Sequence, residues 1–176
     1  HNIKNLVRLE ARNANSEGNN AVSIRDLIRS SLRMRPDRII VGEVRGVEAV
    51  DMLQAMNTGH DGSLSTGHSN SPRDMLSRIE TMVLMGMEIP IEAVRQQISS
   101  AVDIIVHLGR IRDRSRKVVQ IAEVGDCRDG EIMLTPLFKF VEEGESPDGK
   151  VLGRLIRQDT VLKRTHKLET AGIKEW

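Results

Sequence analysis

PDRIIVGEVRG, residues 36–46, decides the fold class. Ile39, Ile40 and Val41 form a short run that is apolar on both faces of an extended chain. That suits a central strand of a parallel sheet covered on both sides. Pro36 stops the helix that precedes it. Gly42 leaves room for close approach, and Glu43 stands one step beyond the strand. Open α/β sheets bind ligands outside the carboxyl ends of their strands, so a carboxylate there is delivered to a working edge. The pattern alone is equally consistent with a strand-end Glu43 that pairs with Arg45.

Upstream of this strand, Ser23 and Asp26 form an [ST]-x-x-[DE] capping box, which predicts a helix over 24–33. Residues 5–12 alternate like a strand, and 13–20 are rich in loop formers. Downstream, Val47, Val50, Leu53, Ala55 and Met56 recur at roughly helical spacing. They predict a helix over 47–57 with Gly59 as its cap. Residues 63–66 predict a brief strand. Pro72 and Pro90 each open a further helix, running to about 85 and 101. Residues 104–106 repeat the buried-strand pattern. The segments 117–124 and 131–134 flank Asp129-Gly130, a hairpin signal. Residues 142–150 read as a polar linker and 151–176 as a short helical tail. Strands alternating with helices, closed by a hairpin, give an α/β class with a mostly parallel sheet. The expected division is 1–141 for the main domain and 142–176 for linker and tail.

Composition narrows the function classes. The 176 residues suffice for one domain with a real core, and their net charge of +1 gives no global field for nucleic acid or an anionic membrane. Phe138, Phe140 and Trp176 are the only Phe, Tyr or Trp residues, which argues against a single-strand nucleic-acid groove built on stacking. The lone Cys127 excludes an internal disulfide and fits a reducing compartment. No apolar run approaches the ~20 residues of a membrane-spanning helix, and no signal peptide is evident. The chain opens at His1 with a strand already under way, as expected of a fragment or a truncated product.

Two stretches bear on phosphate chemistry. GESPDGKV, residues 144–151, matches the P-loop pattern G-x-x-x-x-G-K-[ST] except at its last position. Val151 cannot ligate Mg²⁺, and Glu142, Glu143, Glu145 and Asp148 would repel a triphosphate. The stretch reads as a solvated turn. PDRIIVGEVRG, by contrast, has the Walker B arrangement, in which Glu43 positions a Mg²⁺-bound water or polarises the attacking water. TGHDGSLSTGHSNSP, residues 58–72, sets His60 and His68 on either side of a short strand. His68 falls just past the strand end, where an imidazole can bond a phosphate or a relay water. Two histidines and Asp61 are too few ligands for zinc.

Taken whole, LRMRPDRIIVGEVRGVEAVDMLQAMNTGHDGSLSTGHSNSPRDMLSRIETM closely resembles the secretion and traffic ATPases of type II and type IV secretion, pilus assembly and conjugation. It looks most like the CpaF-type branch, which drives Flp/Tad pili, and the resemblance covers about residues 6–125. It implies a partial RecA-like P-loop NTPase core that uses ATP and Mg²⁺. Glu43 would be the catalytic Walker B glutamate, touching Mg²⁺ only through water. His60 and His68 would be the His-box histidines, and Arg33, Arg35 and Arg45 would contact phosphate or a neighbouring subunit. It further implies a homo-hexamer in the full-length protein. The ring would sit on the cytoplasmic face of the inner membrane against a platform protein, with no transmembrane segment of its own. The family's Walker A loop and Asp box would precede His1. The chain alone is then expected to be inactive, its parent an ATPase. The alternative is a non-catalytic truncated homologue that binds the ring or platform.

Three features lie outside that scheme. RIRDRSRK, residues 110–117, holds five basic residues and one acid, and reads as a solvated turn before a hairpin. Acidic headgroups, a partner or nucleic acid are its other readings. Met75, Met82, Met85 and Met87 suit core packing or a subunit interface. Asp51, Asp74 and Glu80 read as surface charges on helices.

Overall fold

The computed structural model describes residues 4–14, 16 and 19–174. Part of the expected 13–20 loop, and the last two residues of the tail, lie outside the described residues. The chain divides into two compact units, residues 1–67 with 82–88, and residues 68–81 with 89–176.

In the first unit, α1 (Ile24–Arg33) begins on the predicted capping box. Ser23 Oγ accepts the Asp26 N–H at 3.1 Å, and the Asp26 carboxylate accepts the Ser23 N–H at 3.0 Å. The side-chain and backbone bonds from Ser23 hold the Asp26 carboxyl below its usual range. The chain then turns through Arg35, at φ 51°, into β1 (Ile40–Val41). β1 pairs in parallel with β2 (Leu64–Ser65), Ile40 opposite Leu64. The connection carries α2 (Glu48–Asn57), making a small βαβ unit. Ile39 and Val41 line one small apolar void together with Met52, Ala55 and Met56 of α2. Leu53 and Ala49 are wholly buried, and each large apolar side chain so buried contributes about 1.5–3 kcal/mol. Ile40 and Leu64, on the other face of the pair, are exposed.

The second unit takes the first turns of α3 (Pro72–Leu84), then α4 (Ile91–Ala101) and a four-stranded sheet. Its strands are β3 (Ile104–Arg110), β4 (Arg116–Arg128), β5 (Glu131–Glu145) and β6 (Val151–Arg157), antiparallel in sequence order. α4 packs on β4, burying Val94 and Ile98 together with Ala122 and Val124. The predicted Asp129-Gly130 turn joins β4 to β5, with both residues at positive φ (51° and 79°) as a tight hairpin requires. A short helix, α5 (His166–Thr170), is the last element in sequence. No helix among the described residues is long and apolar enough to cross a membrane.

Several expectations need correction. The fold is mixed α/β, but parallel pairing is confined to β1 and β2, and the larger sheet is antiparallel. Beyond residue 104 the strands are joined by tight turns, and a parallel ladder would need crossovers of a dozen residues or more. Residues 104–106 accordingly belong to an edge strand with one exposed face. Residues 5–12 form no strand among the described residues beyond the single Arg12–Val22 bridge, and they are exposed. Residues 142–145 belong to β5 and 151–157 to β6, so the polar stretch is the end of β5 and the turn into β6. Its polarity reflects exposure: Glu142 and Glu143 are held by Arg112 and Arg154, at 2.7 and 2.6 Å. Asp51 is buried at 2% exposure, because Arg25 and Arg29 of α1 reach it and offset the cost of burying its charge.

Candidate functional site

β1 is only two residues long, yet it aims the loop that follows. Thr66 Oγ1 donates to the Gly42 carbonyl, and the Val44 N–H donates to the Thr66 carbonyl at 3.0 Å. The 42–44 segment is thus fastened just past the carboxyl end of β2. Glu43 is 23% exposed there, and Arg45 Nη2 donates to its carboxylate at 2.6 Å. Glu48 closes the loop from the other side, accepting the N–H groups of Arg45 and Gly46 at 2.6 and 3.1 Å. That satisfies amides left open at the start of α2. The pairing of Glu43 with Arg45 is the contact that the pattern alone allowed.

His60 sits after α2, behind Gly59 at φ 87°. Its Nδ1 lies 3.2 Å from the Ala55 carbonyl, the last turn of α2 thereby fixing the ring. A carbonyl can only accept, so Nδ1 carries the proton in this bond, which leaves Nε2 outside it. Ser63 Oγ ties this turn to the sheet, donating to the His60 carbonyl at 2.7 Å and accepting the Ile39 N–H at 3.0 Å. Arg33, in the last turn of α1, and Arg35 beyond it are exposed. The structure brings Glu43 and Arg45 into direct contact.

His68 belongs to the second unit, in the loop that opens α3. It is exposed and lines an open depression of about 530 Å³ with Ser69, Asn70, Asp74 and Arg78. Ser71 Oγ accepts the Asp74 N–H at 3.1 Å, and Ser69 Oγ donates to the Ser71 carbonyl at 3.0 Å. Sequence reading left Asn70 and Arg78 unremarked and took Asp74 for a plain surface charge. The available signal was spacing: Asp74 and Arg78 stand four apart on the helix that His68 introduces, hence on one side of it.

The donor set bears on metal and nucleotide. Among the described residues no group of three His, Cys, Asp or Glu side chains is placed to hold a metal ion. A single carboxylate such as Glu43 can meet a hydrated Mg²⁺ only through its waters, most of which that ion keeps. GESPDGKV is the β5–β6 turn: the Ser146 N–H donates to the Lys150 carbonyl at 2.8 Å, and Lys150 pairs with Asp148 at 3.1 Å. It joins two antiparallel strands and opens no helix, unlike the strand-to-helix loop of a P-loop.

Residues 4–144 match the family model described as "Type II/IV secretion system protein". A Mycobacterium tuberculosis protein carrying a provisional conjugal-transfer name is 40% identical over 152 residues, 86% of this chain and 42% of the relative. The type IV secretion system protein VirB11 of Brucella suis is 38% identical over 98 residues, 54% of this chain and 27% of that one. Among solved structures, the VirB11 ATPase of the Brucella suis type IV secretion system, in complex with sulphate, superposes with a TM-score of 0.55 at 34% identity. That match covers 58% of this chain and 32% of the other. The chain thus spans less than half the length of these relatives. With four-fifths of its length inside the family model, the chain belongs to the type II/IV secretion system protein family.

Proposed function

We propose that the chain is the hydrolytic and sensing portion of a motor ATPase that couples ATP hydrolysis to filament assembly or substrate export. The CpaF-like branch of Flp/Tad pilus assembly is the assignment we favour within the family. Residues 1–141 would form the C-terminal part of a RecA-like domain, which the end of β5 and β6 continue, with 158–176 as its tail. A homo-hexamer on the cytoplasmic face of the inner membrane, working against a membrane platform protein, is the assembly this reading calls for.

The observation that carries the proposal is the delivery of Glu43. An apolar strand in a parallel pair ends, Gly42 intervenes, and a carboxylate follows at the edge where α/β folds bind ligands. Bound ATP with its Mg²⁺ would supply the transferable phosphoryl group and most of the charge neutralisation. Glu43 would orient and polarise the attacking water, with Arg45 setting its position in the resting state. His60 would offer Nε2 and His68 its ring as hydrogen-bonding groups toward phosphate or water. Arg33 and Arg35 would meet phosphate or a neighbouring subunit. The phosphate cradle must come from outside these residues, and positioning plus charge stabilisation make up nearly all of phosphoryl-transfer catalysis.

The test is ATP turnover measured on two proteins. The 176-residue chain is expected to stay at background. A longer parent protein containing it and a P-loop is expected to turn over, and to lose at least about 100-fold on Glu43→Gln. Unchanged turnover in that variant would remove Glu43 from the mechanism. A parent without ATPase activity would favour the non-catalytic binding module.

A further inference from the structure

The basic run 110–117 covers the turn between β3 and β4 with the strand ends beside it, and its charges are arranged unequally. Arg112 is occupied by Glu142 at 2.7 Å and by Glu145. Asp113, the one acid of the run, faces backbone, accepting the N–H groups of Ser115 and Val151 at 2.8 and 2.9 Å. Arg110, Arg114 and Arg116 are exposed and form no ion pair among the described residues. Arg110 stands directly across the ladder from Arg116. Like charges facing one another across a ladder destabilise it, so folding gains nothing from this pair. Arg114, at φ 65°, holds the tip of the turn.

Beside these guanidinium groups lies uncovered apolar surface. Ile104, Val106, Leu108 and Arg110 occupy the exposed positions of β3, an edge strand of its sheet. Leu108, next along that face to Arg110, is 65% exposed, and Val106 is 49% exposed. An apolar strip running into unpaired arginines suits a surface that is anionic outside and apolar beneath. Guanidinium groups bind phosphate oxygens bidentately, and the apolar side chains reach the acyl boundary.

We propose that the β3–β4 turn, with Val106 and Leu108, docks on a bilayer rich in anionic headgroups. Nucleic acid would use the arginines and leave the apolar strip without a role, and no aromatic side chain stands here for bases to stack on. The contact is made by this chain directly, without nucleotide, so it stands or falls apart from the motor reading.

The test is co-sedimentation of the 176-residue chain with vesicles of phosphatidylcholine alone, or with about one third phosphatidylglycerol, at low and moderate salt. Binding is expected only to the anionic vesicles, weakening with salt. Each basic residue near such a surface is worth about fivefold, so R110Q/R114Q/R116Q should lose on the order of 100-fold. L108S should bind more weakly at unchanged salt dependence. K4Q/R8Q/K174Q, which removes equal charge elsewhere, should bind as the parent sequence does. Circular dichroism on each variant separates lost binding from lost fold. Equal binding to both vesicle types, an equal loss in the control triple, or binding to duplex DNA but to neither vesicle would overturn the proposal.

Discussion

Glu123 of β4 accepts the backbone N–H of Arg164 at 2.7 Å, across 41 residues of sequence. The same Oε1 accepts the Lys163 N–H at 2.8 Å, and the carboxylate is buried at 1% exposure. A charged group this deep persists only with charge-assisted partners, and here the partners belong to the segment after β6. Arg164 completes the fastening, its guanidinium reaching Asp103 at 3.5 Å. Glu123→Ala should therefore free the segment rather than disturb the sheet. We expect a loss of about 2 kcal/mol in urea unfolding, with fast amide exchange at Lys163 and Arg164. Retained protection at both amides would show that something else holds the segment.

A second buried carboxylate works by side chains alone. Asp51 draws Arg25 at 2.5 Å and Arg29 at 2.7 Å, joining α1 to α2. The arginines are one turn apart on α1, so they converge on one carboxylate from a single face. Asp51→Asn keeps the shape and removes the charge, leaving two cations against a neutral amide. Arg29 is half exposed and stays solvated, so the expected loss is about 2 kcal/mol, short of that for a fully buried pair. Urea denaturation of the variant beside Asp51→Leu separates the terms. If Leu matches the parent sequence in stability, the ion pairs fix the position of α1 without adding net stability.

Asp113 predicts an acid dependence. Hydrogen bonds from Ser115, then from the Val151 N–H, lower its carboxyl from 3.8 to about 2. A carboxyl depressed by folding contributes stability that is complete above the unfolded value and lost as pH falls through the folded one. The β3–β4 and β5–β6 turns should thus hold together at pH 5 and loosen between about pH 4 and pH 2. Amide exchange of Val151 reads this directly. Asp113→Asn should flatten that window, and an unchanged profile would place the acid sensitivity elsewhere.

These relationships mark where the sequence was legible. The helices were readable because their signals are local: Ser23 with Asp26 starts α1, and Pro72 starts α3 where predicted. The Asp129-Gly130 turn was likewise local. Sheet architecture was less so, since 104–106 is equally apolar in a central or an edge strand, and its pairing with β4 decides which. Burial of Asp51 and Glu123 depends on partners 26 and 41 residues away, and no periodicity in one segment announces them. At the candidate site, strand-end position and loop context single out Glu43 and His60 as candidates. Asn70 and Arg78 become visible only once α3 sets them beside His68.

His60 allows structure and chemistry to be separated within one side chain. Its Nδ1 faces the Ala55 carbonyl at 3.2 Å, so that nitrogen serves the loop while Nε2 remains for other work. Nitrogen NMR of the ring should show the Nδ1-protonated tautomer at neutral pH. An asparagine amide nitrogen occupies nearly the place of Nδ1 and has no counterpart of Nε2. His60→Asn should then keep the bond to Ala55 and hold stability within about 0.5 kcal/mol, whereas His60→Ala should lose about 1 kcal/mol. In a parent ATPase, a role for Nε2 requires both variants to lose turnover equally despite that difference in stability. If His60→Asn keeps full activity, the residue is there to shape the turn between α2 and β2, and the chemistry rests with Glu43 and His68.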